Sequence, residues 1–288
     1  MKHWVWIMAA ALLLTGCQAP ATQPHLSVVA GLYPYAYLVQ AIGGSLVNVT
    51  NLTAPGAEPH DLELTARQII AVAESDLTIT YPGFQPALDA AIDQADESRL
   101  LVVPAVLGLL DDPQSSIDPH VWLDPSKMII LAQTITTRLS ELDPANQATY
   151  LDRGDQLVTE LTKIDQQYSF GLTTCQHRQF ITTHDAFSYL AARYRLTQIA
   201  IAGISPDAEP SPKRVAEIQD IAESNGITTV FFETLASPEL AEVIAGDLGL
   251  ATDVLDPIEG ISDESRGSNY REIMLSNLEA LRQANGCT

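Results

Sequence analysis

Apolar and polar positions along the chain follow two alternating rhythms. Short β-branched runs at Leu26–Leu32, Leu46–Leu52, Asp76–Thr80 and Leu100–Val103 read as strands. Between and after them, Tyr35–Ile42, Thr65–Ala73, Pro86–Ala95 and Pro125–Leu142 carry helical spacing. After residue 178 the pattern restarts, with strands predicted at Gln179–Thr183, Gln198–Ala202, Thr228–Phe232 and Thr252–Leu255. Helices are predicted there at Phe187–Tyr194, Pro212–Ser224, Pro238–Leu248 and Tyr270–Ala284. Strand–helix alternation builds mainly parallel sheets flanked by helices. Two such blocks predict an α/β protein of two lobes.

The joining segment has its own pattern. From Pro144 to Leu172, Leu151, Leu157, Leu161, Ile164 and Tyr168 form one apolar stripe, with Asp143 and Pro144 as a cap and first helical residue. A single helix of that length would span about 42 Å. The alternative is two shorter helices broken at Gly154. A single helix restrains hinge motion between the lobes more than extended strands would.

The N-terminus follows different rules. Lys2 and His3 precede an apolar run from Trp4 to Leu14, and Leu14-Thr15-Gly16-Cys17 follows. As a helix the run would span about 16 Å, roughly half of the ~30 Å hydrocarbon core, so it reads as a secretory leader rather than an anchor. Leu-Thr-Gly-Cys resembles a bacterial lipobox, which implies cleavage before Cys17 and lipid on its thiol; an ordinary secretory signal is the alternative. The expected organisation is a leader at 1–16, a tether at 17–25, an N-terminal lobe at 26–143, the linker helix at 144–172 and a C-terminal lobe at 173–288. Outside the reducing cytosol, the pair Cys175 and Cys287 favours a disulfide. No Cys-x-x-Cys occurs.

Composition adds exclusions. At 288 residues with 46% hydrophobic positions, the chain can bury a core without staples. Its net charge of −21 opposes nucleic acid and anionic lipid headgroups. Such a charge suits a cationic ligand, or serves solubility alone.

Three of the six histidines share a location. His60 lies in the loop after the second predicted strand, His120 stands just ahead of a helix, and His184 directly follows a strand; Asp256 follows its strand in the same way. In open α/β sheets ligands bind beyond the carboxyl ends of strands. Two candidates from each lobe would therefore converge in the cleft between the lobes. Three imidazoles and one carboxylate suit Zn²⁺, whereas Mg²⁺ and Ca²⁺ demand oxygen. Intervals of sixty residues or more match no local metal motif, so a surface or capping role remains the alternative for each histidine. With ordinary imidazole pKa values near 6.5, metal loss is expected as pH falls through roughly 6 to 5. Glu233 follows its strand and either accepts from a ligand histidine or is solvated. Asp61 and Asp185, each beside a candidate ligand, either orient an imidazole or cap a helix.

The stretches PGAEPHDLELT, DPHVWLDP, THDAFSYLAARY, GISPDAEPSPKRVAEI, TVFFETLASPELAEVIA and VLDPIEG resemble those of the metal-binding lipoproteins of bacterial zinc and manganese ABC importers, bacterial solute-binding protein family 9. The resemblance runs from about residue 26 to the C-terminus. It implies two α/β lobes joined by one long helix, with metal held between them by His60, His120, His184 and Asp256. Manganese-type members resemble one another in placing glutamate where His184 stands, so histidine there implies the zinc type. The segment Gly108 to Pro119 departs from zinc-type members by being short and free of histidine. The family also implies a non-enzymatic, lipid-anchored protein on the outer side of the cytoplasmic membrane or in the periplasm. Its partners would be a cognate permease and ATPase, with Zn²⁺ as cargo; no nucleic acid and a monomeric state are expected.

Overall fold

The computed structural model describes residues 25–109, 118–204, 210–235 and 237–288. The leader, Cys17 and most of the tether lie outside the described residues, as does much of the segment between Gly108 and Pro119.

The N-terminal lobe holds β1 (Leu26–Ala30), α1 (Tyr33–Gly43), β2 (Val47–Asn51), α2 (Ala66–Glu74), β3 (Leu77–Thr80), α3 (Pro86–Ile92), β4 (Leu100–Val102), α4 (Val103–Val106) and α5 (Pro125–Leu142). The C-terminal lobe holds β5 (Gln179–Thr182), α7 (Ser188–Tyr194), β6 (Thr197–Ala200), α8 (Pro212–Asn225), β7 (Thr229–Phe232), α9 (Glu239–Leu248), β8 (Ala251–Val254) and α10 (Tyr270–Ala284). Between them runs α6 (Gln147–Gly171). Each lobe contains a four-stranded parallel sheet, ordered β2-β1-β3-β4 in the first and β6-β5-β7-β8 in the second. Strand position follows sequence. β3 (LTIT) is buried along its whole length at an interior position, whereas the edge strand β8 (ATDV) starts with two exposed residues. Interior parallel strands are covered on both faces and therefore read as continuous runs.

The linker is one helix after a short 3₁₀ turn at Pro144–Asn146. Gly154 does not break it. A Cβ there would lie 2.3 Å from Thr136 Oγ1, so the glycine lets α6 approach α5 closely. The Asp143 carboxylate accepts from the Asn146 amide and from the Tyr150 hydroxyl at 2.9 Å, fixing the turn that enters the helix. At the other end Cys175 and Cys287 form the expected disulfide, joining the chain just past α6 to a residue three positions beyond α10.

The lobes are not separate bodies with separate cores. One apolar cluster takes in Val28 and Leu77 from the first sheet, Leu161 and Tyr168 from α6, and Phe180, Phe231 and Tyr270 from the second lobe. Trp122, fully buried, donates from Nε1 to Pro257 O at 2.7 Å, and Tyr270 returns a bond from its hydroxyl to Trp122 O at 2.6 Å. Smaller clusters around Ile181, Ile199 and Val230, and around Val29, Leu52 and Val72, cover the outer sheet faces. The inner faces thus share a core, and the cleft floor is welded by apolar packing.

Candidate metal centre

The carboxyl ends of both sheets face each other across the cleft. His184 stands two residues beyond β5, and Glu233 directly follows the neighbouring strand β7. In this strand order the connections from the central strand diverge between β5 and β7, the place where open α/β sheets bind ligands. His60 and His120 come from longer connections, after β2 and after α4. His120 opens a 3₁₀ turn, Val121–Leu123, whose three side chains are all buried. That burial drives the turn inward and carries the imidazole into the cleft.

The three histidines converge. His60, His120 and His184 together with Glu259 offer ligand atoms that all lie within 4.8 Å of one another. Glu259 Oε1 is 2.8 Å from His120 Nε2, 3.3 Å from His60 Nε2 and 3.7 Å from His184 Nε2. His184 Nε2 and Glu259 Oε2 are buried without a hydrogen-bond partner. Buried polar atoms are rarely left so. Four converging donors, three nitrogens and a carboxylate, match a tetrahedral zinc shell.

The fourth member corrects the sequence-based set. Asp256 does lie at the cleft end of β8 and is buried, but its carboxylate is occupied by its own chain. Oδ1 accepts from Ile258 N at 2.7 Å, while Oδ2 accepts from Ser265 Oγ at 2.9 Å and Thr234 Oγ1 at 3.1 Å. These bonds hold a turn in which Ile258 adopts a left-handed φ of 59°. The turn presents Glu259, three residues later, to the histidines. Asp256 thus builds the turn, and Glu259 is the carboxylate that faces the three imidazoles. Burial pushes the Asp256 carboxyl up against the pull of these hydrogen bonds. Both residues sit in the same segment, DPIEG, and side-chain reach was the missed signal: glutamate has the extra methylene.

Carboxylates also hold two of the rings. Asp118 Oδ1 accepts from His120 Nδ1 at 2.8 Å and from His120 N at 3.0 Å. Glu233 Oε1 accepts from His184 Nδ1 at 2.6 Å and from Thr183 Oγ1 at 3.0 Å. Such contacts fix the tautomer so that Nε2 faces the ligand. Glu233 is therefore placed as an imidazole acceptor; Asp118 was legible only as the acid two residues before His120. The other two expected orienters differ. Asp61 is exposed on its loop, and Asp185 accepts from Ser188 Oγ at 2.9 Å near the start of α7, a local contact between side chains.

The electrostatics follow from burial against pairing. Burial alone would lower the His184 pKa, but the charge and hydrogen bond of Glu233, then Glu259, push it up to about 10. His120 is likewise raised, Asp118 and Glu259 outweighing desolvation. Burial alone would raise the Glu259 carboxyl, but the hydrogen bonds of His120 and His60 and the nearby His184 ring hold it well below the ordinary carboxylate range. Glu58, on the cleft rim, is pushed up to about 8 by burial and the neighbouring Glu259 charge.

Known proteins resemble this chain in sequence and fold. The AdcA zinc-binding lipoprotein of Streptococcus pneumoniae strain R6 is 32% identical across 95% of the chain, which spans only 58% of that relative's length. The high-affinity zinc uptake system protein ZnuA of Bacillus subtilis is 29% identical, with 98% of each protein covered. Among solved structures, the Zn(II)-bound ZnuA-like domain of Streptococcus pneumoniae AdcA matches with a TM-score of 0.78 at 33% identity, covering 91% of this chain and 99% of that one. The laminin-binding protein Lmb of Streptococcus agalactiae, described as bifunctional with adhesin and metal transporting activity, matches with a TM-score of 0.80 at 30% identity, covering 90% and 99%. The family model of the periplasmic zinc-uptake complex component A matches residues 28–284, and the chain belongs to that family.

Proposed function

We propose that this protein captures Zn²⁺ outside the cytoplasmic membrane and delivers it to the permease of an ABC importer. The observation that carries the reading is the convergence of three imidazole Nε2 atoms on Glu259, between two lobes that share a core. Three nitrogens favour zinc over manganese, which is better served by oxygen. Four protein donors also fill the shell, leaving no open position for the water that catalytic zinc activates, so the reading is a carrier and not an enzyme. In this organisation residues 1–16 are removed and Cys17 carries lipid. Residues 17–25 tether the pair of lobes, 26–143 and 173–288, which the helical segment 144–172 joins. The lipid holds a monomer beside its permease and ATPase.

The test is a calorimetric titration of tag-free, chelator-treated protein with Zn²⁺ and, separately, with Mn²⁺. One zinc per chain is expected, with manganese at least ~100-fold weaker. Bound zinc at a thousandfold excess over Kd adds about 4 kcal/mol to stability, and the metal-free protein is expected to stay folded on its large core. Preference for manganese, or unfolding on chelation, overturns the reading.

A further inference from the structure

His60 is the ligand with the least visible support. Its side chain is 12% exposed, against 0% for His120 and 1% for His184. No carboxylate accepts from its Nδ1 among the described residues, whereas Asp118 and Glu233 do so for the other two rings. It sits on a connection that runs from Leu52 to the start of α2, with no regular structure of its own. Something else must fix it, and a buried side chain from another element does.

We propose that Gln85 is the positioning residue for His60; the inference rests on the metal-transport reading. Gln85, 2% exposed, precedes α3 and turns its amide into the base of the His60 loop. Its Nε2 donates to Pro59 O at 3.3 Å, to Gly31 O at 3.2 Å and to Thr53 Oγ1 at 3.2 Å. Two of these acceptors are carbonyls, so the orientation of the amide is unambiguous. Thr53 Oγ1 spends its own proton on Gly31 O at 2.8 Å and is free to accept. One amide therefore ties the end of β1, the start of the loop and the residue immediately before His60. The adjacent Phe84 sets its ring against the imidazole, edge to face with centroids 4.7 Å apart. Gly31 makes room, since a Cβ there would lie 2.4 Å from Gln85 Oε1. On the far side the loop is held to the second lobe by one backbone bond, Gly56 N to Ile261 O at 3.1 Å. His60 is thus supported through its backbone from Gln85, in place of a brace on its ring.

Zinc release to an excess of chromogenic chelator, followed by stopped flow, tests this. Gln85→Met keeps the bulk and removes the donor; Gln85→Glu keeps the shape and sets an acceptor against three acceptors. Both are expected to speed release by about 10- to 100-fold, the usual range for groups that orient a ligand. In a His60→Ala background the same substitutions should change release by less than about twofold, because the position they support no longer binds. Equal acceleration in both backgrounds, or wild-type release from Gln85→Met, overturns the proposal. Amide hydrogen exchange of the metal-free protein separates this from failure of the transport reading. Gln85→Met should raise exchange at residues 54–60 while β3 stays protected, whether or not the wild type binds zinc. Unchanged exchange in that loop also overturns it.

Discussion

Two tripeptides of the N-terminal lobe have the same design, an acid, a proline and a histidine: Glu58-Pro59-His60 and Asp118-Pro119-His120. In each the acid accepts from the histidine backbone N–H, at 3.1 Å for Glu58 and 3.0 Å for Asp118. There the likeness ends. The short aspartate reaches back to Nδ1 of its own histidine at 2.8 Å and holds the ring. The longer glutamate overshoots, and its Oε1 comes to rest 3.9 Å from Nε2, on the metal-facing side. One methylene separates an internal brace from a rim carboxylate. The lesson is that a buried ligand is held by its neighbours' side chains, while a rim ligand is held through its loop.

The largest effect should come from the group that both histidines face. Glu259→Gln keeps the shape but replaces an anionic donor with a weak one. Zinc binding worth roughly 10–16 kcal/mol, shared by four donors, makes each worth about 3 kcal/mol, or two to three decades of affinity. Calorimetry should show that loss for Glu259→Gln and a much smaller one for Asp256→Asn, whose remaining oxygen can still accept from Ile258 N while its amide donates to the Ser265 and Thr234 hydroxyls. The reverse order would restore Asp256 as the ligand.

Proton competition sharpens the contrast, because braced rings hold protons well. With His184 near 10 in the metal-free fold and about 6.5 unfolded, its stabilising contribution is complete below pH ~6.5 and is lost as pH rises towards 10. Glu259, held low, contributes above its unfolded value near 4.3, and that contribution is lost as pH falls below it. Zinc requires neutral imidazole, so its affinity should climb about tenfold per pH unit per proton displaced between pH 7 and 9. Melting curves should show the metal-free form weakening over that range while the zinc-dependent increment grows. A flat increment between pH 7 and 9 would mean that zinc displaces no proton from the braced rings. The competition therefore begins well above the range of pH 6 to 5 expected from unperturbed imidazoles.

The tripeptides themselves give the smallest and most direct test. Asp118→Asn should weaken zinc binding about tenfold or somewhat more, by loosening the His120 ring. Glu58→Gln, which leaves an oxygen to accept from His60 N and removes no bond to a ring, should change affinity by less than about threefold. Equal losses in the two variants would erase the distinction drawn between them.

Much of this fold is legible along the chain. β1 is predicted at Leu26–Leu32 and found at Leu26–Ala30, and α10 has the predicted bounds. Periodicity works here because each helix buries one stripe and each parallel strand reads as a short apolar run, patterns that local sequence carries. The site is less legible. His60, His120 and His184 stand out as rare titratable residues beyond strand ends, but Glu259 is one acid among 36 Asp and Glu residues. Choosing it over Asp256 required the turn at Ile258, which depends on Ser265 and Thr234, residues 9 and 22 positions from Asp256.

What the sequence determined by itself, then, was the two-lobed α/β plan, the continuous linker stripe, the cysteine pair and the three imidazoles, because local pattern and residue chemistry suffice for these. What only the tertiary structure decided was the fourth donor, the carboxylates behind two of the rings and the amide under the third. Each of those contacts joins residues brought together by sheet order and shared burial. Hydrogen-bonding side chains act over about 3 Å, a distance that sequence separation does not encode.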